Sequence, residues 1–171
     1  MKQIILMIAL VALVGCGKKE PVQPSVSNST TPLPFAETKA KAEAGDADAQ
    51  YNLGWMYDEG QGVEQDFKEA FKWFQKAADQ GLANAQKSLG LMYVHAQGVE
   101  QDFKEAFKWC QKAADQGLAD AQYSLGLMYY NGEGVEQDFK EAFKWYQKAA
   151  DQGLANGQNS LGVMYANGEG V

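Results

Sequence analysis

The residues of this 171-residue chain that could do chemistry are few, and their spacing argues against most of it. His95 is the single histidine, so neither a histidine metal site nor a proton relay has a second imidazole to draw on. It replaces Glu59, Asn131 and Asn167 of otherwise matching segments and is expected to be a solvated loop residue. Cys110 stands where those segments have Phe74 and Tyr146, which predicts a buried, inert sulfur with a raised pKa. The carboxylates Glu64, Asp66 and Glu69 recur in the same pattern three times. A catalytic pair needs two different environments to separate two pKa values, and repetition supplies the same one. Lys104, Lys108 and Lys112 form an i, i+4, i+8 row, also repeated, which would either meet an acidic partner or form a solvated face tied down by Glu105–Lys108 contacts. Asn131-Gly132-Glu133-Gly134 lacks the Lys-Ser/Thr of a phosphate loop and reads as a turn. No catalytic residue, metal site or cofactor is expected, and the chain is not expected to be an enzyme.

The elements that carry these residues are set by composition. With 15 lysines, no arginine and 22 acidic residues the formal charge is -7, which excludes a general nucleic-acid binder, since counterion release needs a basic stripe. Hydrophobic residues at 46%, 12% of all residues being aromatic, are enough for one domain with a real core. Two cysteines, Cys16 and Cys110, are too few for a disulfide scaffold.

The N-terminus reads as a processing signal. Met1-Lys2-Gln3 is a short positive region, and Ile4 to Val14 is an apolar run too short to span a bilayer at about 1.5 Å per residue. The following Leu13-Val14-Gly15-Cys16 resembles the bacterial lipobox, which implies cleavage before Cys16, a diacylglycerol on its thiol and acylation of the new amino group. Two acyl chains hold a protein on a membrane stably, whereas one anchors it only marginally. Gly17, where the inner-membrane retention signal of such lipoproteins prefers Asp, favours the outer membrane if the source has two. The expected organisation is a cleaved signal over 1–15 and a lipidated tether over 16–34. That tether holds all four prolines and a Ser/Thr-rich stretch, has almost nothing to bury, and reaches ~25 Å root-mean-square.

Beyond residue 34 one unit repeats every 36 residues. Gly54, Gly90, Gly126 and Gly162 each lie inside Leu-Gly-x-Met-Tyr, and a fixed period in this range predicts a solenoid. Each unit reads as two helices. The second, about Asp66 to Gln80, places Phe67, Ala70, Phe71, Phe74, Ala77 and Ala78 on one face with Trp73 on its flank. Asp66 and Glu69 are expected to form a capping box and Gly81 the left-handed stop. The first, about Ala47 to Tyr57, is expected to bury Ala49, Leu53, Met56 and Tyr57, with Gly54 giving room for close approach by Ala77 and Ala78.

Ala-Gln-x-x-Leu-Gly-x-x-Tyr, then Gly-x-Gly-Val-x-x-Asp, then Ala-x-x-Trp-aromatic-x-Lys-Ala-Ala-x-x-Gly resembles the Sel-one-like repeat, a relative of the tetratricopeptide repeat. It fits Ala49 to Gly81, Ala85 to Gly117 and Ala121 to Gly153. The departures are Cys110 at the aromatic position, Ala96 where the loop elsewhere has Gly60 and Gly132, and Glu69, Glu105 and Glu141 at a position often lysine. The first two put the packing and loop shape of the middle repeat in question. The fold implied is an all-α, right-handed α/α solenoid of antiparallel helix pairs. A capping helix is expected over 35–46, repeats over 47–82, 83–118 and 119–154, and a half repeat over 155–171. There the apolar side of Leu161, Met164 and Tyr165 would lack a partner helix, so that a partner, a second copy or truncation at Val171 is implied.

Within the chain the first helices vary at three columns: Tyr51/Lys87/Tyr123/Asn159, Trp55/Leu91/Leu127/Val163 and Asp58/Val94/Tyr130/Ala166. At about 100° per residue these fall near 0°, 40° and 340°, opposite the core positions. In tetratricopeptide-like solenoids the first helices line the concave face, which would make Tyr51, Trp55, Asp58, Lys87, Leu91, Val94, Tyr123, Leu127 and Tyr130 a groove for a peptide or helix. The other reading is that the middle column packs between repeats and the second helices match only because duplication was recent. The resemblance implies a scaffold, here an envelope-anchored one binding an envelope protein or peptide, with the membrane reached through Cys16. Cysteine-rich members of the family have been associated with β-lactam binding or hydrolysis, but the helix-pair cysteines they carry are absent from this sequence. A β-lactam-binding or β-lactamase-like enzyme and a truncated fragment without independent function are the alternatives.

Overall fold

The computed structural model describes residues 35–170. The signal, Cys16, the tether and Val171 lie outside the described residues. Eight helices follow one another: α1 (Phe35–Glu43), α2 (Ala47–Glu59), α3 (Phe67–Asp79), α4 (Ala83–His95), α5 (Phe103–Asp115), α6 (Ala119–Asn131), α7 (Phe139–Asp151) and α8 (Ala155–Asn167). Among the described residues there is no strand, and each helix packs on the next in sequence. The right-handed α/α solenoid of antiparallel helix pairs, with its repeat of 36 residues, is the fold that forms.

The second helices start and stop where their sequence dictates. Asp66 caps α3 by accepting from the backbone N–H groups of Lys68 at 2.9 Å and Glu69 at 3.1 Å. The reciprocal half of the expected capping box is not made. The Asp66 N–H donates to the Tyr57 carbonyl at 2.9 Å, and the Glu69 carboxylate takes the Lys72 ammonium at 2.5 Å. Ordering the inter-helix loop thus satisfies the donor that Glu69 would otherwise have served. At the other end Gly81, at φ +93°, lets its N–H reach the Ala78 carbonyl (3.0 Å) and that of Leu82 reach Ala77 (3.2 Å), the two bonds of a Schellman stop.

Buried faces differ from expectation in instructive ways. Trp73 is buried rather than flanking, while Phe67, Phe71 and Tyr57 are half-buried. Phe71 meets Tyr93 of the following repeat edge-on at 5.4 Å, as Phe107 meets Tyr129 at 5.4 Å, so these aromatics join repeats instead of filling one pair's core. Phe35 of α1 meets Tyr57 in the same way at 5.8 Å, which makes α1 the stand-in for a second helix.

Gly54 is needed for a close approach, but not to Ala77 or Ala78. A Cβ there would lie 2.7 Å from the Phe74 ring, at Gly90 2.6 Å from Cys110 Sγ, and at Gly126 2.6 Å from the Tyr146 ring. The helices cross at the level of residue 74, about one turn earlier than the alanines. Ala96 keeps the loop shape of the middle repeat: its φ of 56° and ψ of 35° match Gly60 at 67° and 29°, at the left-handed cost of a Cβ. His95 is exposed, as expected, but as the last residue of α4 rather than in the loop. Leu161 and Met164 are not left open. They are buried with Ala142 and Tyr146 of α7, and only Val163 (54%) and Tyr165 (60%) of the large apolar residues on α8 stay exposed.

Candidate functional site

The nine groove residues sit on three successive first helices: Tyr51, Trp55 and Asp58 on α2, Lys87, Leu91 and Val94 on α4, and Tyr123, Leu127 and Tyr130 on α6. Helix geometry gives each trio an i, i+4, i+7 line. Trp55, 42% exposed, is the one of the nine that stands clear, and the other eight are half-buried.

Their partners show why. The Tyr51 ring lies 5.5 Å from Phe74, and that of Tyr123 5.6 Å from Tyr146, so this column leans on its own pair's second helix. Between them Lys87 faces Cys110, and its ammonium is felt at the thiol. Tyr130 packs edge-on against Phe139 at 5.2 Å, and its hydroxyl donates to Glu169 Oε2 at 3.0 Å, which raises its pKa. Val94 leans on Ala106, Cys110 and Met128.

Asp58 is electrostatically the odd member. Its Oδ1 is buried with no hydrogen-bond partner among the described residues, and burial, reinforced by the neighbouring Glu59, pushes its carboxyl above the usual range. Cys110 is fully buried, and desolvation drives its thiol up to about 12, against the pull of Lys87. A thiol so placed is not a nucleophile at neutral pH. Among the described residues no three metal-ligating side chains come together.

Sequence reasoning missed an open, largely apolar hollow of ≈ 270 Å³ between α6 and α8, bounded by Leu127, Tyr130, Tyr146, Ser160 and Val163. The variable columns extended to Asn159 and Val163 already ran toward it; Ser160 and Tyr146 carried no such signal.

Two lysines of each row are held in place. Lys72 pairs with Glu69 and Lys144 with Glu141 at 2.5 Å, and Lys108 pairs with Glu105. Lys76, Lys112 and Lys148 lie over the Trp73, Trp109 and Trp145 rings at 3.9, 3.8 and 3.6 Å. The second helices therefore present nearly the same outer surface in every repeat, with Lys68, Lys104 and Lys140 outside any ion pair among the described residues, and the first helices carry what varies.

The fold and this division of labour define a class, the α/α repeat scaffold. The Sel1 repeat model matches residues 47–82, 83–118, 119–154 and 155–171, and the chain belongs to that family. Among solved structures it is similar to a protective antigen of uropathogenic Escherichia coli displaying an SLR fold (44% identity, TM-score 0.78), matching 80% of this chain and 29% of that one. A Sel1 repeat protein from Oxalobacter formigenes is also similar, at 36% identity and TM-score 0.77, over 80% of this chain and 55% of that one. The chain thus spans less than two thirds of either relative. Helicobacter pylori cysteine rich protein B, at 22% identity, TM-score 0.59, and 74% and 91% coverage, shares the fold. No curated protein matches. Sel1 repeats are scaffolds suited to protein–protein interaction and generally non-catalytic.

Proposed function

We propose that the chain is a lipid-anchored scaffold of the bacterial cell envelope whose first helices bind an extended peptide or a helix of an envelope protein. The observation that carries the binding surface is the contrast between the two helix sets. The second helices are almost identical, with one lysine of each paired to a glutamate and another lying over a tryptophan, whereas the first helices differ at three aligned columns and leave Trp55 exposed at 42%. The anchor rests on Leu13-Val14-Gly15-Cys16 directly after the apolar run. A lipid there confines the search for partners to the membrane surface, facing the periplasm where the source has an outer membrane.

The test compares proteins co-purifying with the native chain from solubilised envelopes with those of a Trp55→Glu, Leu91→Glu variant. These two positions are chosen because the Tyr51 and Tyr130 rings pack on Phe74 and Phe139, so charging them would disturb the fold itself. A partner lost only in the variant, with the helical circular dichroism retained, supports the groove; identical profiles overturn it. Cys16→Ser should move the protein from the membrane pellet to the soluble fraction, and retention in the pellet would remove the anchor.

A further inference from the structure

Charge is unevenly spread along the first helices. Helix α2 carries Asp48, Asp58 and Glu59 and no lysine, α4 carries Lys87, the only lysine on the four first helices, α6 carries Asp120, and α8 carries no charged side chain. In the column of Asp58 the other repeats have Val94, Tyr130 and Ala166. Asp58 holds a buried oxygen that nothing among the described residues satisfies, on a helix whose exposed aromatic, Trp55, lies one turn before it. As i and i+3 on one helix the two side chains are neighbours, their Cβ atoms about 5–6 Å apart.

We propose that the α2 end of the groove reads a basic side chain, arginine or lysine, of the bound segment, its stem lying on the Trp55 ring and its cation meeting the Asp58 carboxylate. The inference rests on the groove reading above and names the chemistry of the occupant: an apolar segment carrying a basic residue. The match is one of charge and shape. A tryptophan face attracts a cation and covers a long apolar stem, and an adjacent carboxylate supplies the counter-charge. Burial and Glu59 both oppose charge on the Asp58 carboxylate, and the attraction of an incoming cation offsets that cost. Lys87, which has no carboxylate within ion-pairing distance among the described residues, repels a basic side chain from the second repeat and so fixes the register of the bound segment.

The experiment selects random displayed dodecapeptides on the full chain and on its Asp58→Asn and Lys68→Gln variants, then titrates a selected peptide against its copy with citrulline in place of arginine. The native chain and Lys68→Gln should enrich peptides with a basic residue among apolar ones, and the arginine peptide should bind about tenfold tighter than the citrulline peptide. Asp58→Asn should bind the citrulline peptide unchanged and lose the tenfold preference. Enrichment of apolar peptides without a basic residue, or a preference that survives Asp58→Asn, overturns the cation subsite and leaves the groove standing. Selection that yields no peptides, or peptides whose binding is indifferent to Trp55→Glu, overturns both.

Discussion

At the scale of single residues, position 110 shows how little freedom a repeat leaves to chemistry. Cys110 has no exposed surface, and its thiol is pushed up to about 12, so the thiolate is on the order of one part in ten thousand at pH 8. Iodoacetamide at pH 8 should therefore leave the Cys110 peptide unmodified in the native full chain and label it once denaturant is added. Native labelling at the rate of the unfolded chain, read by peptide mass mapping, would contradict the burial. Asp58 has the opposite interest, a charge that folding penalises. Its carboxyl titrates above the unfolded value of 3.8, so the stability linked to its proton is present below that pH and lost as pH rises through the folded pKa. Asp58→Asn should raise the melting temperature at pH 7 and flatten the decline of stability from pH 4 upward; an unchanged profile would show that Asp58 is solvated. The burial of Cys110 was legible because two aligned aromatics mark the position. The cost at Asp58 was not, since the helical period places it on the outward face and says nothing of what covers one of its oxygens.

At the scale of elements, the boundaries of both helices were readable to within two residues because caps and left-handed stops are local chemistry. The crossing point was not. A helical face lists Phe74, Ala77 and Ala78 together, but which of them meets Gly54 depends on the axial level at which two helices cross, and periodicity does not contain that level. The consequence is a contrast within one motif. Gly126 has the Tyr146 ring where a Cβ would sit, at 2.6 Å, whereas no atom lies within 4 Å of a Cβ at Gly162. Gly126→Ala should cost on the order of 1–3 kcal/mol through overpacking. Gly162→Ala, with helix propensity alone at stake, should gain ~0.5–1 kcal/mol. Urea unfolding of the two variants beside the parent decides it, and equal shifts would mean that the glycine serves propensity or flexibility rather than contact.

At the scale of the whole molecule, stacking of repeats is enforced by a buried polar ladder as well as by aromatic edges. Gln86 on α4 donates its Nε2 to the Ala78 carbonyl at the end of α3 (3.2 Å) and accepts at Oε1 from Gln116 Nε2 (2.8 Å), which also reaches the Gly81 carbonyl (2.9 Å). Gln50 with Gln80, and Gln122 with Gln152, repeat the arrangement. Each rung ties the end of one second helix, through a first helix, to the end of the next second helix. Sequence reading saw these glutamines only as letters of the repeat, because polar residues on a buried helix face announce no partner until the third helix is in place. In a solenoid, stability is a sum of repeat terms and nearest-neighbour couplings, and the ladder belongs to the second kind. Gln86→Ala removes two bonds, its own to the Ala78 carbonyl, which keeps the Gly81 N–H, and that from Gln116 Nε2, and should cost about 1–3 kcal/mol, while Gln116→Ala, from an exposed helix end, should cost about 0.5–1.5 kcal/mol. Because both variants break the same bond, the double variant should fall short of the sum of the singles by about 0.5–1.5 kcal/mol. Urea melts of the four proteins measure that coupling. If the two costs add, Gln86 and Gln116 act independently, and the cohesion between repeats rests on the aromatic edges Phe71–Tyr93, Phe107–Tyr129 and Phe143–Tyr165 and on the apolar packing of Trp109 and Trp145 against the preceding repeat.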